Sequence, residues 1–199
     1  MKRHMVAILT CALFSLPACS QQHLEVGDWC IPQEFVSPAN SVSNNLNDEN
    51  FDEAPGDLAT LYFEADYVSD RVDGYKAQVE VAEGLMLTQA LHVNLHGHKR
   101  DLSSSNNVEY RSFLDSTELV TADPKNSSEW NLYHQPTTGA MSFWGVCHDN
   151  FQGGYTCMRT LQDERASLTY NLEKPNLKVY KEVDEFLARH LTSWMCSSR

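Results

Sequence analysis

Eight histidines are spread along this chain, and four residues near its middle sit at a spacing that could do chemistry. In Leu91-His-Val-Asn-Leu-His-Gly-His98, an extended backbone puts His92, Asn94, His96 and His98 on one face and Leu91, Val93 and Leu95 on the other. Three imidazoles on one face could hold zinc or copper. A polar outer face running into a loop at Gly97 accounts for the same residues. Sequence places no Cys or carboxylate beside them as a fourth ligand, although Asp101 is near. His148-Asp149 is a second pair that could act, at the end of a hairpin, where binding and catalytic groups often lie. The chain has no Gly-x-Ser-x-Gly elbow, His-Glu-x-x-His, Ser-x-x-Lys, P-loop or Cys-x-x-Cys. The balance of these signals favours a binding protein over an enzyme: no catalytic residues, no resident metal and no cofactor are expected.

The elements that must position these residues are clearest in the last third. Ser142–Cys147 and Tyr155–Leu161 are rich in Val, Thr, Tyr, Phe and Trp, which suit a pleated, half-buried surface. Between them, His148-Asp-Asn-Phe-Gln-Gly-Gly154 is turn-forming, so the two runs make a hairpin with Cys147 and Cys157 on facing strands. A further strand and the turn Glu173-Lys-Pro-Asn176 follow. Val179, Val183, Phe186, Leu187, Leu191 and Trp194 then recur at helical period, with Glu185 and Arg189 four apart on the other side. Earlier, Ile31–Val36 reads as a short strand, Ala59–Val68 as a strand, and Tyr75–Glu83 as an alternating strand broken at Gly84. Leu85–Leu95 is ambiguous between strand and short helix, and Trp130–His134 reads as a strand. The expected fold is α+β: a mostly antiparallel sheet, a meander, with the C-terminal amphipathic helix packed on it and two disulfides.

Lys2, Arg3 and His4 precede an apolar run, Met5–Leu16, that is too short to span a bilayer. Leu16-Pro-Ala-Cys19 closes it. This resembles the lipobox of bacterial lipoproteins, whose Cys becomes the lipidated first residue, with Pro17 an unusual member. The resemblance implies a signal peptide over 1–18 and lipidation (a palmitate-type anchor) at Cys19. Ser20 stands where Asp would imply retention in the inner membrane, so the implied location is the outer membrane, facing the periplasm. Residues 19–28 then read as a tether and 29–199 as one domain. About 180 mature residues suit one core. Of six Cys, Cys11 leaves with the signal and Cys19 takes the lipid. Cys30, Cys147, Cys157 and Cys196 remain, with three possible pairings in an oxidising compartment. The preferred set is Cys147–Cys157 and Cys30–Cys196, the second joining the two ends of the domain.

Fifteen basic residues stand against 27 acidic ones, a formal charge of −12, and loss of Lys2 and Arg3 leaves −14. Such a chain repels nucleic acid and favours a basic partner patch. The most acidic window is the loop-like Ser37–Asp57, where Asp48, Glu49, Asp52, Glu53 and Asp57 are candidate docking residues. His148, Asp149 and Phe151 at the hairpin are a second candidate surface.

The segment Cys157-Met-Arg-Thr-Leu-Gln-Asp-Glu-Arg-Ala-Ser-Leu-Thr-Tyr-Asn-Leu-Glu, with Asn176-Leu177, Tyr180 and Val183-Asp184, resembles the final strands and helix of certain immunity lipoproteins. Those protect bacteria from phospholipase effectors delivered by the type VI secretion system. The likeness covers about 50 residues plus the signal. It implies a periplasmic protein that binds one secreted toxin and blocks it, with no catalysis of its own. It supplies no motif for the toxin-binding surface. Two alternatives are a structural or assembly lipoprotein of the outer envelope, and a metal-binding hydrolase built on His92–His98.

Overall fold

A computed structural model describes residues 22–38, 58–96, 110–113, 116–122, 127–137, 140–162 and 165–196. The chain opens with a hairpin, β1 (His23–Val26) and β2 (Trp29–Pro32), followed by a 3-10 turn at Gln33–Phe35. Then come β3 (Leu58–Phe63), α1 (Ala65–Ser69) and a second hairpin, β4 (Gln78–Ala82) with β5 (Leu85–Thr88). After β6 (Leu91–His96) run β7 (Arg111–Phe113), β8 (Ser116–Thr121), β9 (Glu129–His134), β10 (Ser142–Asp149), β11 (Tyr155–Gln162) and β12 (Ser167–Glu173). A 3-10 segment, Lys174–Val179, leads into α2 (Tyr180–Ser193).

The main sheet has eight antiparallel strands in the order β3-β6-β12-β11-β10-β9-β8-β7. Six of them, β7 to β12, form the expected meander; β6 and β3 extend it beyond β12. Leu61, Phe63, Val93, Leu95, Tyr170 and Leu172 lie in the core with Val183, Phe186, Leu187 and Leu191 of α2. The helical stripe is therefore the core-facing side, and burying its four largest contributors is worth roughly 6–12 kcal/mol as an upper figure. Opposite the stripe, Glu185 and Arg189 pair at 3.8 Å. Among the described residues no helix is long and apolar enough to cross a membrane.

Both preferred disulfides are present. Cys147 and Cys157 are direct partners in the β10–β11 ladder, and both are buried. Cys30–Cys196 ties the first hairpin to the end of α2, where Cys30 N–H also donates to Trp194 O at 2.7 Å and Cys196 N–H to Asp28 O at 2.9 Å.

Several boundaries differ from expectation. Residues 23–28, assigned to the tether, belong to the fold: β1 pairs fully with β2, and Val26 is buried. The strand expected over Ile31–Val36 stops at Pro32, which has no N–H to give a ladder and opens the 3-10 turn. The strand expected over Ala59–Val68 ends at Phe63. Ala65 and Val68, three apart, then bury one side of α1, with Asp66 favourably placed in its first turn. The ambiguous run Leu85–Leu95 is two strands, divided where the Gln89 side chain turns inward. Cys19 lies outside the described residues, as do Asp48, Glu49, Asp52, Glu53 and Asp57 of the acidic loop.

Candidate functional site

The turn joining β10 to β11 is built from its own side chains. His148 and Asp149 are the last residues of β10, so the turn proper is Asn150–Gly154. Neighbours on a strand point to opposite faces, which rules out a His-Asp dyad here. His148 Nδ1 instead lies 3.3 Å from Glu129 Oε2, both groups exposed. Asp149 Oδ1 accepts the Phe151 N–H at 2.6 Å. Asn150 Oδ1 accepts the N–H groups of Gln152 and Gly154, each at 2.9 Å, and its Nδ2 donates to Val81 O at 2.6 Å. Lys174 Nζ donates to Gly153 O at 3.1 Å and stands 5.4 Å from the Tyr155 ring centre. Burial pushes the Tyr155 phenol up to about 12, so it stays neutral.

Phe151 sits at the apex. Its φ is +58°, a left-handed conformation that side chains other than glycine adopt at a cost of roughly 1–2 kcal/mol. Its ring is 82 % exposed. A large apolar ring is thus held in solvent, on a strained backbone, by a turn whose polar groups are already engaged.

The β4–β5 hairpin lies against this turn through the Asn150–Val81 bond. Its base is fixed by Asn176, which is fully buried: Asn176 Nδ2 donates to Lys76 O at 2.9 Å and to Gln89 Oε1 at 2.8 Å, and Lys76 N–H donates to Asn176 Oδ1 at 2.7 Å. The Tyr75 hydroxyl donates to Gln89 O at 2.8 Å, and burial raises its pKa well above the ordinary phenol value. On this fixed base β5 displays Leu85, Met86 and Leu87, exposed by 55, 56 and 43 %. A groove of about 660 Å³ runs between hairpin and turn, lined by Glu80, Met86, Gly154, Tyr155, Lys174 and Lys178 among others. Leu85, Met86, Leu87 and Phe151 are the most exposed large apolar side chains among the described residues. Leu85 and Leu87 share one face of β5 and Met86 lies on the other; exposed apolar patches mark interaction surfaces.

The other candidates are placed differently. His92 is exposed and meets the Tyr62 ring edge-on at 5.0 Å, while Asn94 accepts a hydrogen bond from Thr60 at 3.0 Å. His96 is only 4 % exposed, and His98 lies outside the described residues, so the described part of the face is not an open set of imidazoles. His23, Glu25 and Cys30 approach one another within 4.8 Å, but the Cys30 sulfur is bonded to Cys196 and supplies no thiolate. A second cavity, of about 530 Å³, lies between β10, β11 and the start of α2. Its polar heart is internally paired: Arg159 reaches Asp184 Oδ2 at 3.0 and 3.3 Å and the carbonyls of Trp144 and Thr160 at 2.8 and 2.7 Å. Tyr170 donates to Asp184 Oδ1, and burial first, then the carboxylate, pushes its phenol far up. This network fixes helix to sheet.

The sequence names Phe151 and the turn as a candidate surface and does not point to Leu85, Met86 and Leu87, whose exposure depends on what packs beside β5. No protein-family model, curated protein or solved structure matches the chain.

Proposed function

We propose that this chain is a periplasm-facing lipoprotein that binds and neutralises a secreted antibacterial toxin, acting as the immunity protein to a type VI secretion lipase effector. The observation that carries the reading is the exposure of Phe151, on a turn held by its own hydrogen bonds, and of Leu85, Met86 and Leu87 on β5. High-affinity inhibitors rely on a few apolar anchors held in place before binding, since ordering them on contact would weaken the complex.

The placement of this surface supports the same reading. The chain enters the fold at His23, close to the Cys30–Cys196 bridge and the C-terminal end of α2. The turn at Asn150–Gly154 meets Lys174, before the other end of that helix. The 14 residues of α2 span about 21 Å, and the seven of β12, running alongside, about 23 Å. A lipid on Cys19 therefore holds one pole of the domain, and the apolar surface occupies the other, directed away from the anchoring membrane.

The test is competition between sister cells. Deleting the gene is expected to make cells sensitive to toxin-bearing siblings, and periplasmic expression of the wild-type chain to restore resistance. Phe151→Asp, which leaves the core untouched, is expected to fail to restore it. A deletion strain that stays fully resistant overturns the reading.

A further inference from the structure

Four side chains of metal-ligating type, from the two ends of the fold, converge at the Cys30–Cys196 bridge. On β1, His23 and Glu25 are two residues apart and share one face. Glu25 stands directly opposite Cys30 in the β1–β2 ladder, so Cys30 lies on that face too. One donor atom from each of His23, Glu25 and Cys30 lies within 4.8 Å of the other two. His23 Nε2 is 3.4 Å from Glu25 Oε1. An imidazole nitrogen and a carboxylate oxygen on one tetrahedral zinc ion are about 3.3 Å apart. Cys196 brings the fourth group, its sulfur bonded to that of Cys30. Backbone contacts hold it there independently of the sulfurs. Cys30 N–H donates to Trp194 O at 2.7 Å, Cys196 N–H donates to Asp28 O at 2.9 Å, and Trp29 pairs with Met195 between them. Opening the bridge therefore leaves both thiols beside His23 and Glu25.

We infer that Cys30, Cys196, His23 and Glu25 form a zinc site when the bridge is reduced. The site does not depend on the partner-binding reading above. Two thiolates, an imidazole and a carboxylate are ligands that zinc takes in tetrahedral geometry, and thiolates select it over magnesium and calcium. The Cα atoms of Cys30 and Cys196 are 5.0 Å apart. Rotation about the Cα–Cβ bonds is enough to part the two sulfurs to about 3.8 Å, the edge of a zinc tetrahedron. A dithiol opens the bridge: it supplies two electrons and two protons and itself becomes a disulfide. Zinc then displaces both thiol protons. Transfer of two electrons from the thiolates to an oxidising disulfide restores the Cys30–Cys196 bond and releases the ion. Both cysteines are partly exposed and His23 and Glu25 are exposed, so reductant and ion reach the site from solvent. Cys147 and Cys157, by contrast, are fully buried. The ends of the domain, 166 residues apart at the two cysteines, thus have two alternative clasps, one covalent and one metallic.

The test uses the full chain carrying Cys19→Ser, reduced without oxygen by a trialkylphosphine, which leaves as its oxide with oxygen from water. The probes are cobalt(II) alone, which reports its ligands by colour, and zinc(II) alone. The reduced chain is expected to bind one cobalt with the visible bands of a tetrahedral site and the near-ultraviolet charge transfer of thiolate ligands. One equivalent of zinc is expected to bleach both. The oxidised chain is expected to bind zinc at least about a hundredfold more weakly. His23→Ala and Glu25→Gln are each expected to weaken zinc binding to the reduced chain at least about tenfold, read by competition with a colorimetric chelator. Both side chains are exposed, so neither change disturbs the core. A chain with Cys30→Ser and Cys196→Ser, which keeps Cys147 and Cys157, is expected to show no thiolate charge transfer. Zinc is expected to raise the urea midpoint of the reduced chain and leave that of the oxidised chain unchanged. Where reduction unfolds the chain, return of native tryptophan fluorescence on adding zinc supports the site, and no return overturns it. Equal zinc affinity in the reduced parent and in the His23 and Glu25 variants also overturns the inference, by showing that the thiols bind metal without a built site.

Discussion

Under the proposed function, replacing Phe151 by glycine separates a residue used for binding from one used for folding. Three terms decide the effect on stability. Relief of the left-handed strain at φ +58° favours the variant by roughly 1–2 kcal/mol. The freer unfolded chain of glycine disfavours it by about 0.5–1 kcal/mol. With the ring 82 % exposed, the fold hides roughly a fifth of a side chain of about 200 Å², and losing that contact costs about 1 kcal/mol. The terms nearly cancel, so Phe151→Gly is expected to stay within about 1 kcal/mol of the parent. Truncating the buried Phe63, 1 % exposed, costs about 3–5 kcal/mol by contrast. Urea unfolding followed by tryptophan fluorescence under oxidising conditions measures this. At a slope of about 2 kcal/mol per molar, the midpoint is expected to move by less than about 0.5 M. Partner binding, read by calorimetry with the toxin from the adjacent gene, is expected to weaken by about 30-fold or more, the loss of one central anchor. A stability loss above about 2 kcal/mol refutes the reasoning by showing that the ring packs within the fold. An unchanged affinity refutes it by showing that the ring is not an anchor.

Asn176→Ala strips the base of the β4–β5 hairpin of three bonds and is expected to cost about 2–3 kcal/mol, with hydrogen exchange rising across Gln78–Thr88 before the rest of the sheet. Asp184→Ala removes the carboxylate partner of Arg159, which keeps the carbonyls of Trp144 and Thr160, and the acceptor of the buried Tyr170 hydroxyl, and a loss of about 3 kcal/mol is expected in the same unfolding assay. Removing Cys30–Cys196, whose residues are 166 apart, is expected to cost about 5 kcal/mol, against about 3 for Cys147–Cys157 at a separation of 10; midpoints of the paired Ser variants give the order. His190 donates from Nδ1 to Phe186 O and accepts the Tyr67 hydroxyl at Nε2; burial above all, with Arg71 and Arg189 adding to it, holds its pKa below the ordinary value. The unfolded chain takes up this proton first, so its contribution to stability is complete above about pH 6.5 and falls as the pH drops toward the lower folded value. Unfolding midpoints between pH 7 and 5 are expected to fall more steeply in the parent than in His190→Phe.

What the sequence made legible follows from periodicity and from the placing of the cysteines. The stripe from Val183 to Leu191 repeats at helical period, and that face is buried. Cys147 and Cys157 flank a turn-forming run, and four cysteines, once all are taken as paired, leave three pairings. The misses have physical causes as well. His23–Val26 is polar enough to pass for tether, and its strand character comes from pairing with β2. Ala65–Ser69 follows a strand with no breaker, so tertiary burial of Ala65 and Val68 decides the change to helix. His96 lies on the face that alternation assigns to it, yet is buried, because alternation names a face without saying what covers it. The same gap hid the exposure of β5. Leu-Met-Leu reads as core material in any local window, and its exposure depends on β5 standing at an unpaired edge.

Phe151 is the place where local preference and the observed residue conflict most plainly. The turn Asn150–Gly154 needs a residue at φ +58°, and glycine meets that need without strain. Glycine is available in the same turn at 153, where φ is +85°, and adding a Cβ there meets nothing within 4 Å. A bulky aromatic at 151 adds strain, buries little of its own surface and exposes an apolar ring to water. The hydrogen bonds from Asp149 and Asn150 and the nearby Cys147–Cys157 bridge make the turn stiff enough to carry it. Strain of this kind persists where the surroundings over-determine it, and it clusters where a surface is used. Folding physics alone gives phenylalanine no advantage over glycine here, and under the proposed function a pocket on a partner that receives the ring supplies the reason for it.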